Sequence, residues 1–235
     1  INIRCICALK SAPVKNLCCF AALRLCVKTL PSPLNLNSLQ QTFETLINSF
    51  IESKVGISEN FLSPQLASDL KENLLLLHSQ KNMLAAGTGN NQQVAHDRSV
   101  RGDVIYWLDK QHHNVHEDAF FAIMDAFVLL LNESCYTGIT GYEFHYTLYE
   151  EGSFYRKHLD QFRNNTSRQY SMIIYLNAGW LASDGGQLSI HHANGDAQHI
   201  DPTSGKTVFF KSSELEHEVL LTNKPRMSIT GWLKR

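Results

Sequence analysis

After Gly141 the chain changes texture, and this change constrains the fold more than any other feature. Seven short strand-like runs follow to the C-terminus, separated by turn residues and with no helical pattern between them: 142–149, 154–159, 169–176, 187–191, 206–210, 217–221 and 226–233. Strands joined directly by turns pair antiparallel, because a parallel crossover needs a much longer connection. Such a set closes into an antiparallel barrel or a jelly roll. Upstream the apolar spacing is helical instead. Leu39, Phe43, Leu46, Ile47 and Phe50 mark one helix behind a cap at Asn37 or Ser38. Leu66, Leu70, Leu74 and Leu77 mark a second, opened by Ser63-Pro64 with proline at the first helical position. Phe120, Ile123, Met124, Phe127 and Leu131 mark a third, beginning near Val115. A Gly- and Asn-rich loop at 86–93 and a strand from Val100 to Leu108 lie between the last two. The pattern predicts an α+β, mainly β fold: a jelly roll buttressed by N-terminal helices.

The first residues stand apart. Residues 1–43 hold five basic side chains and no acid, which leaves 16 basic against 22 acidic residues in the remainder. Five of the six cysteines fall within the first 26 residues, and only Cys135 lies beyond. Three readings fit: a spurious or disordered extension, a targeting or membrane-associated segment, or ordered structure. A zinc site is poorly supported, since the two-residue ligand spacing and a nearby His are missing. Residues 1–30 are therefore set aside, and 31–235 are taken as one domain, with helical support over about 36–135 and a jelly-roll core over about 140–235. The cysteine-poor body suits a reducing cytoplasm. The net charge of −1 argues against nucleic-acid binding by bulk charge, and no apolar run approaches the length of a membrane span.

His158-Leu159-Asp160 is the sharpest local feature. Side chains two apart on a strand point the same way, so an imidazole and a carboxylate converge. Alone, the pair fits a salt-bridged strand equally well. A second His on a neighbouring strand, with His217 as the candidate, completes a two-His, one-carboxylate set that leaves positions open on iron(II). In the last strand, Arg226, Ser228, Thr230 and Trp232 share one parity and Met227, Ile229 and Leu233 the other. The second set already supplies a core face, so the polar set lines a cavity, where the Arg226 fork suits a dicarboxylate. Other histidines read as ordinary: His112, His113 and His116 as a solvated helix start, and His145 as a core or rim residue.

His158-x-Asp160, His217 and Arg226 nine residues later together resemble the signature of the 2-oxoglutarate-dependent oxygenases. Tyr149-Glu-Glu-Gly152-Ser-Phe-Tyr155-Arg-Lys-His158-Leu-Asp160 resembles their prolyl 4-hydroxylase branch. So do Tyr175-Leu-Asn177, Gly185-Gly186-Gln-Leu188, His217-Glu-Val219 and Arg226-Met-Ser-Ile-Thr230-Gly-Trp232. Upstream, Val100-Arg101-Gly102-Asp103-Val-Ile-Tyr-Trp107 resembles the substrate-loop segment of the hypoxia-sensing prolyl hydroxylases and their bacterial relatives. The likeness spans roughly residues 36–235.

The resemblance implies a double-stranded β-helix, cupin-like, and an enzyme using iron(II), 2-oxoglutarate and dioxygen, with ascorbate supporting activity. It implies iron ligation by His158, Asp160 and His217. For 2-oxoglutarate it implies Arg226 and Tyr175 on the far carboxylate, Thr230, Trp232 and Leu188 around the pocket, and Tyr149 at the iron site. Arg101, Asp103 and Arg168 match substrate-facing positions. The implied reaction is hydroxylation of a prolyl residue in a protein, elongation factor Tu being the family-based candidate, with release of succinate and carbon dioxide. The alternatives are another protein side chain or a small molecule as substrate, or a non-catalytic cupin-like metal-binding or sensing module.

Overall fold

The computed structural model describes residues 36–87, 97–162 and 164–235. The N-terminal extension, and residues 88–93 of the Gly/Asn-rich loop, lie outside them. The described elements run α1 (Leu36–Ser53), β1 (Val55–Ser58), α2 (Pro64–Ser79), β2 (Leu84–Ala85), β3 (Asp103–Trp107), α3 (Val115–Cys135), β4 (Gly141–Tyr149), β5 (Tyr155–His158), β6 (Arg168–Tyr175), β7 (Leu188–His191), β8 (Ala197–Ile200), β9 (Thr207–Lys211), β10 (Glu216–Val219) and β11 (Arg226–Lys234). Ser63 caps α2, its side chain accepting from the Leu66 N–H, and Pro64 stands in the first turn. Asn114 caps α3, accepting from His116 and Glu117, with acidic residues in the first turn where the helix dipole favours them.

The named strands pair antiparallel throughout and form two sheets. The larger has seven strands in the order β1-β9-β6-β11-β4-β3-β2, the smaller four in the order β5-β10-β7-β8. This is the expected double-stranded β-helix. The segment before residue 136 adds β1, β2 and β3 to the large sheet, alongside strands from the second half of the chain. The strand expected from Val100 begins at Asp103. Residues before it lie against β5 instead, through Gly102 N–H to the Phe154 carbonyl at 3.0 Å and Arg156 N–H to the Val100 carbonyl at 2.9 Å. β8 had no counterpart among the expected strands. It is an edge strand with only Ile200 buried, so it has no apolar alternation to betray it.

Side-chain parity sorts the large sheet into two faces. Phe144, Tyr146 and Leu148 of β4, Met172 and Ile174 of β6, and Met227, Ile229 and Leu233 of β11 pack with the helices in one core. Phe127 of α3 is fully buried there among Phe43, Phe61 and Phe209, with ring centroids 5.1–5.6 Å away. Burying one such side chain contributes about 1.5–3 kcal/mol. A second core, with Ile173, Leu188, Ile190, Val208 and Phe210, lies between the sheets. The remaining inward positions of β4, β6 and β11 are largely polar, including Thr147, Ser171, Arg226 and Ser228, and all four are buried.

Candidate active site

His158 and His217 are 59 positions apart in sequence, yet the antiparallel pairing of β5 with β10 sets them directly opposite each other. β5 ends at His158, and Asp160 sits just beyond it in a bend. The alternation nonetheless carries through. Asp160 Oδ1 is 3.6 Å from His158 Nε2, and its Oδ2 is 3.5 Å from His217 Nε2. Ligand-capable atoms of the three residues all lie within 4.8 Å of one another. Each imidazole has its Nδ1 against a backbone carbonyl, His158 on Arg156 at 2.7 Å and His217 on Leu215 at 3.1 Å. Nδ1–H therefore donates, and the Nε2 lone pair is left facing the common point, as a metal ligand requires. Ser171 Oγ donates to Asp160 Oδ2 at 2.6 Å, a contact that the sequence reading missed. Its one available signal was that Ser171 shares the parity of Ile173 and Tyr175 on β6.

Electrostatics prepare this cluster for a cation. Burial alone would raise the Asp160 carboxyl; His217, His158 and the Ser171 hydroxyl outweigh it and hold the group far below the usual carboxylate range. Burial lowers His217 to about 4, against the opposing pull of Asp160. The set at neutral pH is one carboxylate and a neutral His217, a donor set that suits a divalent iron-type ion with free positions.

Arg226 opens β11 on the opposite sheet and is 1% exposed. Its Nε donates to the Gly186 carbonyl at 2.8 Å. Gly186 has φ +65°, and a Cβ there would lie 2.9 Å from Thr222 Oγ1 and 3.1 Å from Arg226 Cδ. Glycine is thus what lets the carbonyl approach so closely. Tyr149 and Tyr175 flank the guanidinium, with ring centroids 5.1 and 5.0 Å from its carbon. Arg226 Nη2 and Tyr175 Oη are both buried and have no hydrogen-bond partner. Among the described residues no carboxylate is ion-paired with Arg226. Burial pushes the Tyr175 phenol up to about 12 against the pull of Arg226, so it stays a neutral donor. Two orphaned donors, one of them cationic, form a cradle for a carboxylate, and leaving them unmet costs about 1–3 kcal/mol each or more.

A cavity of about 800 Å³ joins the parts. Its wall includes the His158, Asp160 and His217 cluster, together with Arg226 and Tyr149. Leu188, Thr230 and Trp232 complete the inner part, while Tyr175 is fully buried beside Arg226 and outside the lining. Arg168 also lines the cavity, but its guanidinium is engaged. It donates to Glu143 Oε1 at 3.0–3.1 Å and lies 3.4 Å over the Trp232 ring. Arg101 lines the cavity, whereas Asp103 lies outside the lining and binds Arg101 bidentately at 2.7 and 2.5 Å. That pair is internal, with side-chain exposures of 13% and 0%, and is not the surface ion pair that a loop position suggests. His112 and His113 are exposed, as a solvated helix start implies, and His112 Nδ1 lies 3.0 Å from the buried Glu117 carboxylate. His145 is buried, with Nδ1 2.9 Å from Thr147 Oγ1.

Comparison with known proteins agrees with this geometry. Residues 144–234 match the model of the 2OG-Fe(II) oxygenase superfamily. A prolyl-4-hydroxylase of Pseudomonas putida is 32% identical over 82% of this chain and 98% of its own, with a TM-score of 0.72. A prolyl hydroxylase of Trichoplax adhaerens, solved in complex with a hypoxia inducible factor peptide fragment, shares the fold at a TM-score of 0.74. Its identity is 24%, over 85% of this chain and 91% of its own. A prolyl 4-hydroxylase of Phytophthora capsici shares it at 0.67 and 17%, over 88% of this chain and 68% of its own. With these likenesses, the chain belongs to the 2-oxoglutarate- and iron(II)-dependent dioxygenases, as a member of their prolyl 4-hydroxylase family.

Proposed function

We propose that this chain hydroxylates a prolyl residue in a protein substrate, with residues 31–235 acting as a single oxygenase domain. His158, Asp160 and His217 would hold iron(II) through two Nε2 atoms and a carboxylate oxygen. Arg226 Nη2 and Tyr175 Oη would take the distal carboxylate of 2-oxoglutarate, between Leu188 and Thr230 and beside Tyr149 and Trp232. The observation that carries the reading is this pair of buried, unpartnered donors, Arg226 Nη2 in the wall of the cavity that also bears the triad and Tyr175 Oη beside it. When bound, iron and 2-oxoglutarate supply the oxidising power to put one dioxygen atom into a C–H bond, the cosubstrate leaving as succinate and carbon dioxide. The protein's part is to present two imidazole Nε2 atoms, keep Asp160 ionised and shield the reaction from bulk water.

Arg101, Asp103 and Arg168 stand on the substrate side of this reading. Family membership supports a polypeptide substrate, and elongation factor Tu is the first candidate to test. Ascorbate would keep the iron reduced, and the cytoplasm is the compartment proposed. Among the described residues no helix is long and apolar enough to cross a membrane.

The test combines two readouts on the purified protein supplied with iron(II), 2-oxoglutarate and a proteome from cells lacking the gene. Succinate should form, and mass spectrometry should find prolyl peptides carrying one added oxygen. Both signals should vanish in His217→Ala. Oxygen found only on other residues would refute the prolyl specificity but leave the oxygenase chemistry. No succinate under any condition would refute the reading as a whole.

A further inference from the structure

His158 is the less secured of the two histidines. His217 is 3% exposed, sits on a strand with neighbours on both sides, and packs against Phe210 with ring centroids 4.8 Å apart. His158 is half-buried and ends a strand at the edge of the small sheet, whose pairing with β10 already shifts register within its short length. Its imidazole is instead stacked on the Tyr155 ring, with centroids 3.7 Å apart and planes 18° from parallel. The Arg101 guanidinium lies over the same ring at 4.2 Å. Because His158 covers one face so closely, Arg101 takes the other.

Arg101 is itself clamped. Asp103 receives two hydrogen bonds from it at 2.7 and 2.5 Å, and the Gly87 carbonyl receives a third at 3.1 Å. Asp103 has no exposed side-chain surface, and it opens β3, where it pairs with Tyr149 on β4. The backbone at Arg101 also bridges to Tyr155. A chain of contacts thus runs from the large sheet through a carboxylate, a guanidinium and a phenol ring to the imidazole on the small sheet.

We infer that Asp103, Arg101 and Tyr155 are positioning residues for His158, holding its imidazole in the orientation that binds metal. The inference rests on the metal reading above and adds a role to the segment before β3. Its charges do not merely face a substrate; they brace a ligand. Stacking between a guanidinium and an imidazole fixes the Tyr155 ring by dispersion and cation–π attraction, and the fixed ring leaves His158 little freedom to rotate. The Tyr155 hydroxyl is not needed for this, but its ring is.

The test measures metal affinity directly, with Mn(II) in place of oxidisable iron and calorimetric titration as the readout. Tyr155→Leu and Arg101→Met should each raise the Mn(II) dissociation constant about tenfold, the low end of what removing the support behind a ligand costs. Tyr155→Phe, which keeps the ring, should bind Mn(II) as the wild type does. In the metal-free protein, Arg101→Met should also move the His158 ring protons downfield in NMR spectra, as Tyr155 comes off the imidazole. If Tyr155→Leu does not fold, Arg101→Met decides the matter alone. Wild-type Mn(II) affinity in Arg101→Met, with loss confined to kcat/KM for a peptide, would overturn the inference and leave Arg101 as a substrate residue. Failure of the wild-type protein to bind Mn(II) would overturn the metal reading and this inference together.

Discussion

Arg226 shows how much one side chain can imply. It is fully buried, flanked by two tyrosines, fixed through Nε, and left with an unpartnered Nη2. A buried cation with a free donor is costly unless a ligand completes it. Lysine keeps the charge but loses the planar fork and its two-point geometry. Arg226→Lys should therefore weaken 2-oxoglutarate binding by about 1.5–3 kcal/mol, the loss of one charged hydrogen bond, or about ten- to a hundredfold in half-saturating concentration. Tyr175→Phe removes a neutral donor and should cost about 0.5–1.5 kcal/mol. Both are read from 2-oxoglutarate titrations of decarboxylation, and an unchanged value for Arg226→Lys would sink the anchor role. At this scale the sequence was legible where strand parity spoke, as for Arg226 and Thr230. It was silent on Ser171 and on the Tyr155 stack, because a hydroxyl or a ring carries no mark of what it will face.

Among the elements, β11 is the one whose alternation by itself sorts core from cavity. Its entry point is held by a residue that alternation could not assign. Asn177, just past β6, donates to the Pro202 and Met227 carbonyls at 2.7 and 3.0 Å, and its Oδ1 accepts from the Met227 N–H at 2.7 Å. It is 3% exposed and pins the strand one residue after Arg226. Asn177→Leu would leave buried backbone groups unpaired. It should cost about 1–3 kcal/mol for each group left unsatisfied, and it should weaken 2-oxoglutarate binding as the Arg226 backbone loosens. Denaturant unfolding and cosubstrate titration check the two effects separately, and wild-type behaviour in both would remove Asn177 from this role. Elements without alternation escaped the sequence reading. β8 is such a case, and so is the stretch before Asp103, whose pairing goes to β5 rather than into the expected strand.

For the molecule as a whole, buried histidines set the acid limit of stability. Burial lowers His145 to about 4, with Asp103 pulling it up and Arg101 and Arg168 pushing it further down. An unfolded histidine takes its proton near pH 6.5. Between those values the unfolded state holds more protons, so stability falls as pH drops, on the order of 1 kcal/mol per pH unit for one such group. His217, lowered for the same first reason, adds to the slope. The metal-free protein should thus be distinctly less stable to urea at pH 5 than at pH 7, and His145→Asn should shrink the difference. An identical pH difference in the variant would show that His145 is not buried neutral.

The linear chain by itself determined the fold class, the helix starts at Ser63-Pro64 and Val115, the polar face of β11, and the short list His158, Asp160, His217 and Arg226. Each of these depends on local periodicity, a cap or a motif, signals that neighbours in sequence carry. Tertiary structure alone decided which strands pair. It placed β1, β2 and β3 of the helical half in the large sheet, set His217 opposite His158, buried Arg101 on Asp103, and gave Tyr155 its two cationic or aromatic partners. Most of these contacts join residues far apart in sequence, and even the local pairs, Arg101 with Asp103 and Tyr155 with His158, take their geometry only when both sheets and the helices bury their apolar faces at once.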